Sequence, residues 1–274
     1  MKLFSLAAVV ALGYVGVTLM YALLQRSLVY YPQAQAEDAA VAAVRRAGGE
    51  PWLDEEGRWL GWWQGDAGAR HRVLVLHGNA GHALSRRYWV DLFQSFHASG
   101  PWRVHVLEYP GYGPRPGVPT EASLRDAALQ ALDHLQAEDS APVLLLGESL
   151  GSGVAAHLVA QRRDAVAGLL LVTPFSSLVA AARHHLPLLP VSLLMLDRFD
   201  TRGLLADYEG PLVVVTGSED RVVPEKLALP LVQDHRGPLL HWSQPGADHN
   251  AIDLNPRAGG WQDIDQFLRR HISD

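Results

Sequence analysis

Among the 274 residues, the run Gly147-Glu148-Ser149-Leu150-Gly151 carries the sharpest chemical signal. A serine hydroxyl becomes an effective nucleophile only when a base takes its proton, and histidine is suited to that task near neutral pH. A carboxylate must then fix the imidazole tautomer and stabilise the imidazolium. Side chains of these types follow downstream, first in Thr216-Gly217-Ser218-Glu219-Asp220 and then in Gly246-Ala247-Asp248-His249-Asn250. Serine, acid, histidine is the chain order expected when the serine sits on a strand-to-helix elbow. The candidate triad is therefore Ser149, Asp220 and His249. Glu219 and Asp248 are rival acids, but Asp248 adjoins the histidine and would point elsewhere. His184, His185, His235 and His271 lack a comparable context.

Attack on a carbonyl also needs donors for the oxyanion, and one comes from the residue after the nucleophile, Leu150. The second should come from the loop after an earlier strand, His77-Gly78-Asn79-Ala80-Gly81, with Asn79 as the donor. His77 itself is expected to brace that loop by bonding to backbone. Tyr109-Pro110-Gly111-Tyr112-Gly113 is expected to be a turn beside the site, with Tyr112 within reach of the pocket.

The elements that must carry these residues are legible as short apolar runs. Trp59–Trp63, Val73–His77, Arg103–Tyr109, Val143–Leu146, Gly168–Val172, Leu212–Val215 and Leu239–Trp242 are expected strands. Most run without alternation, as strands buried on both faces do, and helical patterns at 120–137 and 150–161 separate some of them. This predicts an α/β domain with a mostly parallel central sheet covered by helices. In such sheets ligands bind beyond the carboxyl ends of the strands, where every candidate residue above falls.

The amino-terminal part is a different material. No charged residue stands between Leu3 and Leu24, with Lys2 before and Arg26 after. That stretch makes about 33 Å of helix, enough to cross a hydrocarbon core of roughly 30 Å. Residues 1–32 are therefore expected to be a transmembrane anchor and juxtamembrane segment, followed by the catalytic domain over 33–274. A cleaved signal peptide is the competing reading, because Ala34-Gln35-Ala36 has a small-x-small form. The apolar run, however, exceeds a usual signal core. The expected orientation has a short tail inside and the domain outside. Residues 33–50 are expected to form a short alanine-rich helix ending at Gly48-Gly49.

Composition removes several function classes. The chain has no cysteine, which excludes thiol catalysis, cysteine-based zinc sites and disulfides. Its formal charge is −6 with no basic block, so nucleic acid is not an expected partner.

Taken together, the anchor, Gln25-Arg26-Ser27-Leu28-Val29-Tyr30-Tyr31-Pro32 and the loop at 77–81 resemble those of the membrane-anchored α/β-hydrolase-domain serine hydrolases. The resemblance continues through Glu108–Gly113, Gly147–Gly151, Ser218-Glu219-Asp220 and Asp248-His249-Asn250, over nearly the whole chain. It implies the α/β-hydrolase fold, the triad named above, cleavage of esters or thioesters including acyl lipids, and no metal or other cofactor. A cap insert is expected at about 174–200. Its Leu186–Leu196 run could wall an acyl chain or simply pack on the core. A peptidase or amidase on the same triad, and a tethered binding protein without chemistry, are the alternative functions.

Overall fold

The computed structural model describes residues 2–272. Eight strands form one sheet: β1 (Glu50–Leu53), β2 (Trp59–Gly65), β3 (His71–Leu76), β4 (Trp102–Leu107), β5 (Val143–Glu148), β6 (Val166–Val172), β7 (Leu212–Gly217) and β8 (Leu239–Gln244). Their spatial order is β1-β2-β4-β3-β5-β6-β7-β8. Strand β2 runs antiparallel to both of its neighbours, β1 and β4, and every other neighbouring pair is parallel. The central strands bury both faces, as their unbroken apolar runs require: Val73, Leu74, Val75 and Leu76 are all fully buried. Alternate residues feed opposite cores. Leu74, Leu76, Leu145 and Val214 pack on one face of the sheet, and Val73, Val75, Leu144 and Val213 on the other.

Ten helices are described: α1 (Lys2–Val29), α2 (Glu37–Arg46), α3 (Arg87–Gln94), α4 (Glu121–Glu138), α5 (Leu150–Gln161), α6 (Leu178–His185), α7 (Val191–Leu194), α8 (Thr201–Leu204), α9 (Leu229–Asp234) and α10 (Gly259–His271). Helices α4 and α5 cover the first face, while Trp89 and Phe93 of α3 and Trp261 and Ile264 of α10 cover the second. Helix α4 starts at a reciprocal cap, in which Ser123 N–H donates to Thr120 Oγ1 at 3.0 Å and Thr120 N–H to Ser123 Oγ at 2.9 Å.

The helix of the amino-terminal segment runs past its apolar stretch, through Gln25 and Arg26 to Val29. The segment 33–50 holds α2, which starts only at Glu37 and ends at Arg46, with Ala47 as its cap and the expected Gly48 following at φ 81°. The left-handed φ suits glycine and turns the chain into β1, a strand the sequence reading missed. With only Trp52 of its four residues buried, β1 is too short to show a pattern.

Helix α1 exposes an apolar surface along most of its length, with Leu12 71% and Leu23 83% exposed. Its residues 6–29 are long and apolar enough to cross a membrane. Its carboxyl end is nonetheless tied to the domain. Tyr31-Pro32 pair in parallel with Ala80-Gly81, and Arg26 Nε lies 3.0 Å from Asp197 Oδ2. Asp197 Oδ1 accepts the N–H of Glu121 at 3.1 Å, so α1, the segment between α7 and α8 and the start of α4 meet at one buried carboxylate.

Candidate active site

The elbow is built from its glycines. A side-chain carbon at Gly151 would sit 1.9 Å from Leu76 O, and one at Gly147 would sit 2.7 Å from Ser152 Cα. With both positions bare, the chain passes from β5 to α5 through a single residue, Ser149, at φ 50° and ψ −112°. A non-glycine residue held there carries on the order of 1–3 kcal/mol of strain, which the surrounding structure must hold. Ser149 N–H donates to Val172 O at 2.8 Å, fastening the elbow to the end of β6.

The loops after β7 and β8 are laced to one another. Ser218 N–H donates to Gln244 O at 3.0 Å, Glu219 N–H to Ala247 O at 2.9 Å, and Gly246 N–H to Ser218 Oγ at 2.8 Å. This lacing brings Asp220 to His249. With Nδ1–H donated to Asp220 Oδ2 at 2.7 Å, His249 Nε2 is left as acceptor for the Ser149 hydroxyl at 3.0 Å. The second oxygen of Asp220 accepts the N–H groups of Val222 and Val223, at 2.8 and 2.7 Å. The carboxylate is thus fully engaged and buried.

Neither rival acid reaches the ring. Glu219 is exposed. Asp248 turns to the backbone and accepts from its neighbour His249 N–H at 2.7 Å and from Arg221 N–H at 3.2 Å. Those two bonds hold its carboxyl below the ordinary aspartate range.

The loop carrying Asn79 is pinned from three sides. Its carbonyl accepts Tyr31 N–H at 2.9 Å and the Tyr112 hydroxyl at 2.7 Å, while its side-chain amide donates to Val29 O at 2.7 Å, at the end of α1. His77 is buried and donates from Nδ1 to Gly78 O at 2.7 Å, the bracing role expected of it. Tyr112 is also a brace: it is fully buried and does not line the cavity, contrary to the expectation that it reaches the pocket.

Sequence reasoning passed over Glu148, the residue before the serine. Its carboxylate accepts from Tyr88 Oη at 2.8 Å and Trp89 Nε1 at 2.9 Å, with Arg86 Nε 3.2 Å away. Burial and the adjacent carboxylate push the Tyr88 hydroxyl far above its usual pKa, so it stays a donor. The signal was a charged residue inside an otherwise apolar strand end. His185, which no motif marks in the sequence, also lines the cavity, with its Nε2 2.8 Å from Val222 O.

Ser149, His249, Leu150 and Asn79 face a cavity of about 450 Å³, within the range of small-molecule sites. Leu186, Leu189, Val191 and Met195, from the segment that runs from the end of α6 through α7, form one apolar side. Tyr21, Ala22, Gln25 and Leu28 of α1 form another. The amino-terminal helix is therefore a wall of the site.

A serine at a strand–helix elbow, an acid and a histidine on later strand ends, and this strand order define an α/β-hydrolase. The chain belongs to that family, and residues 73–206 match the family described as "Alpha/beta hydrolase family". An uncharacterized protein of Mycobacterium tuberculosis is 34% identical over 254 residues, covering 90% of this chain and 88% of its own. Lysophosphatidylserine lipase ABHD12 of Gallus gallus is 29% identical over 217 residues, covering 71% of this chain and 55% of its own, so the chain spans about half of that lipase. Among solved structures, the Pyrococcus furiosus esterase Pf2001 shares the fold with a TM-score of 0.64 at 16% identity, over 89% of this chain and 98% of that one.

Proposed function

We propose that the protein is a membrane-anchored serine hydrolase that cleaves carboxylic esters or thioesters of acyl lipids. One observation carries the reading: the unbroken hydrogen-bonded chain from Ser149 through His249 to Asp220, opening on an apolar cavity. His249 takes the hydroxyl proton as Ser149 Oγ attacks the acyl carbonyl carbon, and the N–H groups of Asn79 and Leu150 receive the oxyanion. The protonated His249 returns that proton to the leaving alcohol or thiol. A water deprotonated by the same ring then cleaves the acyl-enzyme. The fixed Asn79 loop supports its role as donor, because a preorganised N–H costs nothing to orient during reaction.

The apolar walls suit an acyl chain, and the name of the lipase relative points to single-chain phospholipids as the first substrates to try. The helix over residues 6–29 serves as the anchor. The Arg26–Asp197 pair neutralises the cation on the domain side, which supports an orientation with the Lys2 end inside. The test is hydrolysis of p-nitrophenyl esters together with fluorophosphonate labelling. A burst of nitrophenol and labelling at Ser149 are expected, both lost in Ser149→Ala. Turnover surviving in that variant would sink the assignment, and an inert Ser149 in folded protein would favour a binding role.

A further inference from the structure

The cap does more than cover the cavity. Its segment Leu186-Pro187-Leu188-Leu189-Pro190-Val191-Ser192-Leu193-Leu194-Met195-Leu196 carries no charge and one hydroxyl. Leu189, Val191 and Met195 turn into the cavity. Leu188, Leu193 and Leu196 turn the other way and are 83%, 86% and 63% exposed. Exposed leucines at this density on one short segment are unusual for a surface facing water.

The segment also runs alongside α1. Tyr14 Oη donates to Leu188 O at 2.8 Å, Gln25 Nε2 to Leu194 O at 3.2 Å, and Leu196 N–H to Gln25 Oε1 at 2.7 Å. At 1.5 Å per residue, Tyr14 lies about 18 Å along the helix from Arg26, which pairs with Asp197 at the base of the cap. That distance is close to the depth of one leaflet, about half of a 30 Å hydrocarbon core. With the charged pair at the interface, Leu188 lies near the depth of the bilayer centre. A helix that spans the membrane therefore carries the cap in with it.

The polar contacts fit such a place. In hydrocarbon, backbone groups have no water to bond, and a partner must come from the protein. Tyr14 and Gln25, polar side chains within the apolar helix, supply partners to cap backbone groups that no cap residue satisfies. Leu189, Leu193 and Met195 N–H groups bond to Leu186, Pro190 and Val191 carbonyls within the segment.

We propose that residues 186–196 are immersed with α1 in one leaflet of the membrane, and that the acyl chain of the substrate enters the cavity sideways from that leaflet. The partner surface is lipid acyl chains, and the second clause rests on the hydrolase reading above. The cavity is bounded by the inner sides of the two immersed elements, so a chain moving between them never crosses water. This also explains why a leucine-rich rim survives on a chain of net charge −6.

Because the chain has no cysteine, single thiols can be placed without removing others. Leu188→Cys, Leu193→Cys and the exposed reference Asp164→Cys, at the opposite end of the sheet, would each carry an environment-sensitive fluorophore. The full chain would be reconstituted in phosphatidylcholine vesicles containing doxyl-labelled lipid. Blue-shifted emission and quenching about two-fold or more above the Asp164 site are expected at both leucine positions. Emission and quenching equal to those at Asp164 would overturn the immersion.

A second arm uses Leu188→Asp with Leu193→Asp, which lie outside the cavity. Hydrolysis of a vesicle-embedded lysophospholipid should fall about ten-fold or more, because charge is expelled from the leaflet, while hydrolysis of p-nitrophenyl acetate stays unchanged. Equal rates on the embedded substrate would overturn sideways entry. Fluorophores reading lipid on a protein that cleaves no ester would instead support immersion and overturn the hydrolase reading.

Discussion

The floor and the roof of the cavity are held by different forces. The floor consists of loops at the ends of β3, β5, β7 and β8, laced by short polar bonds such as Asp220 to Val223 N–H at 2.7 Å and Ser149 N–H to Val172 O at 2.8 Å. The roof consists of α1 and the cap, apolar on both sides and joined through a few polar ties at Tyr14, Gln25 and Arg26. A floor of this kind holds reacting atoms to a fraction of an ångström, as proton transfer demands. A roof of this kind tolerates displacement, and its apolar contacts depend on what solvent surrounds it. Chemistry and substrate delivery can therefore be perturbed separately.

The sharpest way to break the floor is Asp220→Asn, which keeps the shape but changes the hydrogen bond that fixes the His249 tautomer. kcat should fall by roughly 10⁴-fold with KM little changed, measured on a short p-nitrophenyl ester. A fall of less than ten-fold would mean that another acid serves the ring.

Gly151→Ala comes next. Its methyl group would meet Leu76 O at 1.9 Å, and backbone on both sides leaves little room to relax. A loss of about 3 kcal/mol is expected, read by urea denaturation, along with loss of fluorophosphonate labelling. Unchanged stability would show that the elbow can open without cost.

The roof is broken most directly at Asp197, where α1, the cap and α4 meet. Asp197→Ala removes the partner of Arg26 and the acceptor for Glu121 N–H. The cost in stability should be about 1–2 kcal/mol, chiefly from the helix-capping bond, because Arg26 is partly exposed. The KM for long-chain esters should rise while kcat on acetate stays within about two-fold of the parent, because Asp197 bonds to α1 and α4 and to none of the catalytic loops. A matching fall in both substrates would mean that roof and floor are coupled.

The smallest expected effect concerns the sheet beneath both. His105 on β4 is fully buried beside Trp52, with ring centroids 5.0 Å apart. Burial, with the charges of Arg103, Arg72 and His134, pushes its imidazole well below the ordinary histidine range. The unfolded chain therefore binds this proton more readily than the folded one. Stability from this residue is complete above the ordinary value of about 6.5 and is lost as pH falls below it. His105→Phe should flatten the fall in melting temperature between about pH 6.5 and 5. An unaltered slope would place acid sensitivity elsewhere.

Much of the floor was legible along the chain. Helix α5 and the strands from β3 to β8 appear as apolar runs and periodic patterns of the expected length. The elbow shows itself as two glycines flanking Ser149. Of the two acids in the loop after β7, Asp220 is the one whose carboxylate lies 2.7 Å from His249 Nδ1, a contact that their neighbouring positions in sequence do not reveal. Less was legible where an element is short or an interaction distant. Strand β1 has one buried residue in four, and the grip on Glu148 by Tyr88 and Trp89 spans about sixty residues of sequence.

The order of the candidate groups, their placement at strand ends and an apolar segment of membrane length can all be read along the chain. These are local properties, set by side-chain period, glycine spacing and hydrophobicity. That Asp248 faces the backbone, that Asn79 is fastened to the end of α1 and that α1 is itself a wall of the cavity emerge only from the folded arrangement. Such facts join residues as far apart as Tyr14 and Leu188. No periodicity records them, because they arise when separately specified elements compete for the same space and the same hydrogen-bond partners.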